Sequence, residues 1–194
     1  MFLKPAQLAA LAVVSWLGTG AMAHALELSE VLERTRVSPP GRVAFRETRY
    51  NPLLEEPMEF TGYLEYPRAG QLRKVVESPF QESMLVDGDT IELVRAGRTQ
   101  RVSLRNRKSI LRMLQSIESL LAGNISVLEE TFEHELSGTE DKWRLRLTPT
   151  AKSLAKQLDQ LTVCGGLGTI DKIRFDMQNG EWQHLEIIHT ASEP

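Results

Sequence analysis

The sequence predicts a mainly antiparallel β protein with a few helices (α+β), a single curved sheet covered by lid helices. Three observations carry that expectation. Short segments of alternating apolar and polar residues follow one another through much of the 194-residue chain, and period-two alternation marks a strand with one buried face. Turn sequences such as Asp87-Gly88, Ala96-Gly97 and Asn179-Gly180 separate them, which favours hairpins over helical crossovers. Helical apolar spacing at 26–36 and 106–122 then supplies cover for the open face of such a sheet.

Near its start the chain carries Lys4, an apolar run from Leu8 to Gly18, and the small-residue frames of Ala-Met-Ala-His-Ala. That is the pattern of a Sec signal peptide cleaved after Ala23 or Ala25. Residues 1–25 are therefore expected to be removed, leaving 26–194 as one soluble, exported domain. No cysteine stands near the cleavage frames, so no lipid anchor is expected there. Loss of Lys4 takes the formal net charge from -3 to -4, and a mildly acidic chain is a poor general polyanion binder. Cys164 is the only cysteine, which rules out an internal disulfide even in an oxidising compartment. It is expected to be a small buried residue at a strand end.

In the mature chain, Leu28, Val31 and Leu32 fall at helical spacing within Leu26 to Arg36, and Ser38-Pro39-Pro40-Gly41 stops that helix. Strands are predicted at 43–50, 58–66, 72–77, 83–86, 90–95 and 99–104. Asn106 is then placed to cap a helix whose Ile110, Leu114, Ile117 and Leu121 share a face, with Gly123-Asn124 as its stop. Strands resume at 127–136 and 142–147. Thr148-Pro149 reads as an N-cap and first helical residue, leading a short helix with Leu154, Leu158 and Leu161 on one side. A closing hairpin spans 170–178 and 181–190.

Catalytic constellations are scarce. The sequence has no GxSxG elbow and no HExxH pair, so no enzyme activity is expected. His184 and His189 fall on opposite faces of one strand, so no metal or other cofactor is expected. Gly165 to Thr169 lacks the Lys-Ser/Thr helix start of a phosphate cradle and reads as a turn or bulge. The basic run contains Arg95, Arg98, Arg101 and Arg105, with no acidic residue between Glu92 and Glu118. It is either a docking surface for an acidic partner or membrane headgroup, or a solvated strand face whose arginine stems cover apolar surface. Without interleaved aromatics, nucleic acid is not an expected partner.

Phe60, Leu64 and Tyr66 share one parity of a strand, and Leu114 and Ile117 share the apolar face of the second lid helix. Together they offer walls for an acyl chain, whose burial contributes about 0.8 kcal/mol per methylene. Arg68 would join the same side if the register survives Pro67. Otherwise the proline bulges the strand and Arg68 leaves for water.

Several stretches resemble LolA, the periplasmic lipoprotein carrier family. They are Gly62-Tyr63-Leu64 leading to Arg68, the strand pair Glu82 to Val94 around Asp87-Gly88, Trp143 to Pro149, and the hairpin Ile170 to Ile187. The pattern departs from the family where proline precedes Arg68 and Ala69 follows it. The resemblance implies an incomplete barrel with helical lids that shields acyl chains of a lipoprotein or related exported lipid, including polyene-type lipids. It implies an inner-membrane donor, an outer-membrane acceptor and a monomeric carrier. It also implies that Arg68 lies inside the barrel and latches the lid helices through their backbone carbonyls, which agrees with the rule that a buried guanidinium needs partners. A lipid- or protein-binding sensor or adaptor on the same fold is the alternative.

Overall fold

The computed structural model describes residues 26–189, so the expected signal peptide and its cleavage frames lie outside the described residues. The elements are α1 (Leu28–Arg34), β1 (Gly41–Tyr50), β2 (Met58–Tyr66), β3 (Gln71–Ser78), β4 (Glu82–Asp87), β5 (Thr90–Arg95), β6 (Arg98–Ser103), α2 (Lys108–Ala122), α3 (Ile125–Thr131), β7 (Phe132–Thr139), β8 (Lys142–Pro149), α4 (Lys152–Ala155), β9 (Leu158–Gly166), β10 (Thr169–Met177) and β11 (Trp182–Ile188). The strands form one antiparallel sheet in the order β6-β5-β4-β3-β2-β1-β11-β10-β9-β8-β7. Two meanders, β1–β6 and β7–β11, meet where β1 pairs with β11. The sheet stays open, with β6 and β7 as its edges. The chain must travel between those edges, and α2 and α3 make that journey.

One face of the sheet is apolar because alternation puts it there. β8 is the plainest case: Trp143, Leu145, Leu147 and Pro149 are buried and their neighbours are exposed. The register carries the same side across the sheet, from Leu145 to Val163 on β9 and on to Ile173 and Leu185. Leu28, Val31 and Leu32 of α1 belong to the main core that covers this face. A second, smaller cluster of Val86, Leu104 and Leu114 lies under the middle of α2. Gly123, at φ +71°, ends α2 in a left-handed C-cap, a conformation glycine adopts without Cβ cost.

Several expectations change. Residues 127–131 are helical, not extended: the Asn124 side chain accepts from the Ser126 N–H and starts α3, and strand pairing begins only at Phe132. Asn106 is not the cap of α2; Arg107 holds that position with no side-chain hydrogen bond. Thr148-Pro149 ends β8 and does not start a helix, since Pro149 is buried opposite Phe132. The helix that follows has four residues, and Leu158 and Leu161 belong to β9. Their three-residue spacing looks helical, but an irregularity in the β9–β10 pairing at Asp159 turns both inward. Cys164 is half-buried and shares its sheet face with Lys172 and Arg144, its cross-strand neighbours, opposite the core. Gly165 to Thr169 is the expected turn, with Leu167 and Gly168 at positive φ. Among the described residues, no helix is long and apolar enough to cross a membrane.

Candidate functional site: an apolar cavity beneath the helices

A cavity of about 250 Å³ lies where the exit of α1 and the C-terminal end of α2 stand over the apolar face of the sheet. Val43, Leu64, Leu72, Ile173 and Ile187 line it from the strands, Leu121 from α2, and Tyr66 contributes its ring. Thr35, Thr169 and His189 supply polar groups to the wall. The His189 ring Nε2 lies 3.1 Å from the Ile170 carbonyl and 3.1 Å from an Asp171 carboxylate oxygen. Burial pushes the Tyr66 hydroxyl pKa up, with the Glu118 charge adding to the shift.

Of the residues expected in an acyl-chain wall, the cavity takes Leu64 and Tyr66. Phe60 is buried in the main core, edge-on to Phe80 with ring centroids 5.7 Å apart. Leu114 and Ile117 face the second cluster. They hold α2 on the sheet but do not line the cavity.

Arg68 is not inside. Its side chain is 61% exposed, and its guanidinium donates to both carboxylate oxygens of Asp87 at 3.0 and 3.1 Å. The reason is local. β2 ends at Tyr66, Pro67 has no N–H to extend the ladder, and the Gln71 N–H closes a turn onto the Arg68 carbonyl at 3.0 Å. The parity that points Phe60 and Leu64 inward stops before it reaches the arginine. The groups that tie α2 in place are different ones. Glu118 of α2 accepts the Gly70 N–H at 2.7 Å, and the Val37 N–H donates to the Leu121 carbonyl at 2.8 Å.

The basic run does not present one face. Arg95 and Arg98 stand opposite each other at the β5–β6 turn, and Arg95 lies over the Phe80 ring, 4.5 Å from its centroid. Arg101, on the other side of edge strand β6, pairs with Glu92 at 2.7 Å, and Arg105 pairs with Asp89 at 2.6 Å. Arg95 Nε is 3.8 Å from a Glu82 oxygen. Acidic neighbours in space thus offset much of the charge that the sequence presents as an uninterrupted run. Charges on an edge strand also deter pairing with another sheet.

Sequence reasoning missed a charged cluster on the apolar face. Glu47 of β1 is 1% exposed in its side chain, and its Oε2 accepts from Lys74 Nζ at 2.7 Å and Arg49 at 2.8 Å. Glu47 and Lys74 sit on strands flanking β2, so the bridge passes over that strand where Gly62 offers no side chain. Gly62 cannot carry one: an added Cβ would clash with the Val75 carbonyl. Burial pushes the Glu47 carboxyl up, but Arg49 and Lys74 together outweigh it and hold the group below the ordinary glutamate value. Burial lowers the Lys74 ammonium against the pull of Glu47. With two cationic donors on one oxygen, the ionised carboxylate is the form the geometry holds. The signal was available in sequence, because Glu47 shares parity with Phe45, and Lys74 with Leu72 and Val76.

An open antiparallel sheet with an apolar cavity under helices defines a class of protein, the half-barrel roofed by its own connecting helices. The chain belongs to the family described as "Outer membrane lipoprotein carrier protein LolA-like", whose model matches residues 20–192. No curated protein matches the sequence significantly. Similar solved structures include a LolA superfamily protein from Nitrosomonas europaea, at 12% identity and TM-score 0.45, covering 88% of this chain and 96% of that one. A putative outer membrane lipoprotein-sorting protein domain from Vibrio parahaemolyticus is similar at 11% identity and TM-score 0.42, covering 84% and 89%. The Mycobacterium tuberculosis lipoprotein LppX is similar at 14% identity and TM-score 0.43, covering 83% and 93%.

Proposed function

We propose that this chain is a periplasmic carrier that shields the acyl chain of a lipoprotein or related exported lipid on its way to the outer membrane. Family membership gives the class, and one observation carries the reading: the apolar cavity between the sheet and the exits of α1 and α2. Its volume, about 250 Å³, falls just below the roughly 300–1,000 Å³ usual for sites that enclose small molecules. A full acyl chain therefore requires α2 to lift. Lifting it gives up the contacts of Leu114 with the small second cluster and of Met113 and Leu120 with the main core. Glu118 and Leu121 supply two of its polar ties to the neighbouring chain. Burying methylenes on loading would offset the cost of lifting it, at about 0.8 kcal/mol each.

Donor and acceptor complexes belong to the same reading, with the arginines from Arg95 to Arg105 as the docking end. Native mass spectrometry of protein purified from its source tests the proposal. A lipid mass that co-purifies and is lost on delipidation is the expected result. A stable protein partner with no lipid would instead make the chain an adaptor.

A further inference from the structure

We infer that the Glu47–Lys74–Arg49 cluster is the polar subsite of this cavity, and that it receives the anionic group of an acidic lipid. The inference rests on the carrier reading and names the class of cargo.

Position is the first argument. Leu64 lines the cavity, and Lys74 is its direct cross-strand neighbour on the same face. On the other side, Glu47 stands opposite Leu185, which stands opposite the cavity residue Ile173. The cluster thus borders the cavity on two strand rows, and the gap in side chains at Gly62 joins them. An acyl chain lying along Leu64, Ile173 and Ile187 would bring its polar end beside Lys74.

Donor capacity is the second. An ammonium has three N–H donors and a guanidinium five. Lys74 and Arg49 each spend one on the same Glu47 oxygen. Arg49 Nε is buried with no hydrogen-bond partner, an arrangement that native interiors rarely tolerate without a purpose. Donors therefore outnumber acceptors within the cluster.

Charge is the third. Glu47 answers only one of the two cations bonded to it. Glu82, on the same face, is itself paired with Arg95, so these five groups together carry one excess positive charge. A bound carboxylate or phosphate would balance it and fill the spare donors with charge-assisted bonds. Lys74 and Arg49 also lie over aromatic rings, Lys74 Nζ 5.0 Å from the Phe45 centroid and the Arg49 guanidinium 4.1 Å from that of Phe60. Those rings hold both heads at the floor of the sheet.

Titration with dodecanoate, dodecyl phosphate and dodecanol tests the inference, since the three share a chain and differ in the head. The wild type should bind at least one anionic probe about tenfold or more tighter than the alcohol, and the better of the two identifies the head as carboxylate or phosphate. Lys74→Met should bring that ratio close to one without weakening dodecanol. Because Lys74→Met leaves Glu47 buried with a single partner, the triple variant Glu47→Gln/Arg49→Met/Lys74→Met supplies a check that strands neither a carboxylate nor a cation. Equal affinity for all three probes in the wild type, or a ratio that survives both variants, would overturn the subsite and leave the carrier intact. Failure of every probe to bind would overturn the carrier reading and the subsite with it.

Discussion

Replacing Glu118 by alanine removes the bond between α2 and the β2–β3 turn. In the structure that bond is short, 2.7 Å from a carboxylate oxygen to the Gly70 N–H, and partly buried. Hydrogen bonds to charged groups contribute roughly 1.5–3 kcal/mol, and partial exposure argues for the lower end, about 1–2 kcal/mol. If α2 lifts to admit an acyl chain, the bond exists only in the closed form. Its loss then destabilises the closed form alone, and the apparent affinity for an acyl probe rises by the same free energy, a factor of about 5–30. Fluorescence titration with a fatty-acyl probe, beside thermal melting of the unliganded protein, reads both quantities. Glu118→Ala should melt earlier and bind tighter, with Glu118→Gln between it and wild type. Earlier melting with unchanged affinity would mean that the bond survives loading, and that α2 does not lift as argued.

Arg68→Leu should do little, since an ion pair exposed by 61% and 46% on its two sides shifts stability by no more than about 0.5–1 kcal/mol. A change in acyl-probe affinity or release rate would contradict the exposed position. Glu47 is held below its ordinary value of 4.5, so it contributes stability that is complete above that pH and lost as pH falls through the lower folded value. The stability gap between wild type and Glu47→Gln should therefore be widest near neutrality and shrink as pH falls below 4.5; a gap constant with pH refutes the ionised pair. Reversing Arg101 and Arg105 to glutamate should slow association with anionic vesicles and weaken its salt dependence without unfolding the chain. Unchanged low-salt kinetics would leave these arginines only their pairs with Glu92 and Asp89.

Where local alternation and turn chemistry agree, the elements are legible in the sequence. β2 and β5 begin and end at the residues their patterns predicted, and the two lid helices stand where apolar spacing put them. The misreadings have physical causes. Val127 to Thr131 contains β-branched residues that suit a strand, but Asn124 supplies a cap only three residues upstream, and the cap decided the helix. β9 hid behind an irregularity that imitates helical spacing. Arg68 failed because parity holds only while the ladder continues, and Pro67 ends it. The inward charge sought at Arg68 exists at Lys74 and Glu47, within unbroken strands where the same test was sound. The cavity itself was only partly legible: Leu64 and Tyr66 could be read from β2, but Ile173 and Ile187 join them through the β1–β11 pairing, a contact between distant parts of the chain.

The central claim is that an acyl chain lies between the sheet and the C-terminal end of α2. A palmitoyl probe bearing a terminal diazirine, photolysed in the bound state and mapped by peptide mass spectrometry, tests it most directly. Adducts should concentrate on Val43, Leu64, Ile173 and Ile187, and unlabelled palmitate should suppress them. Adducts confined to the outer groove of α2 and α3, or to the opposite face of the sheet around Tyr63 and Val75, would contradict the account.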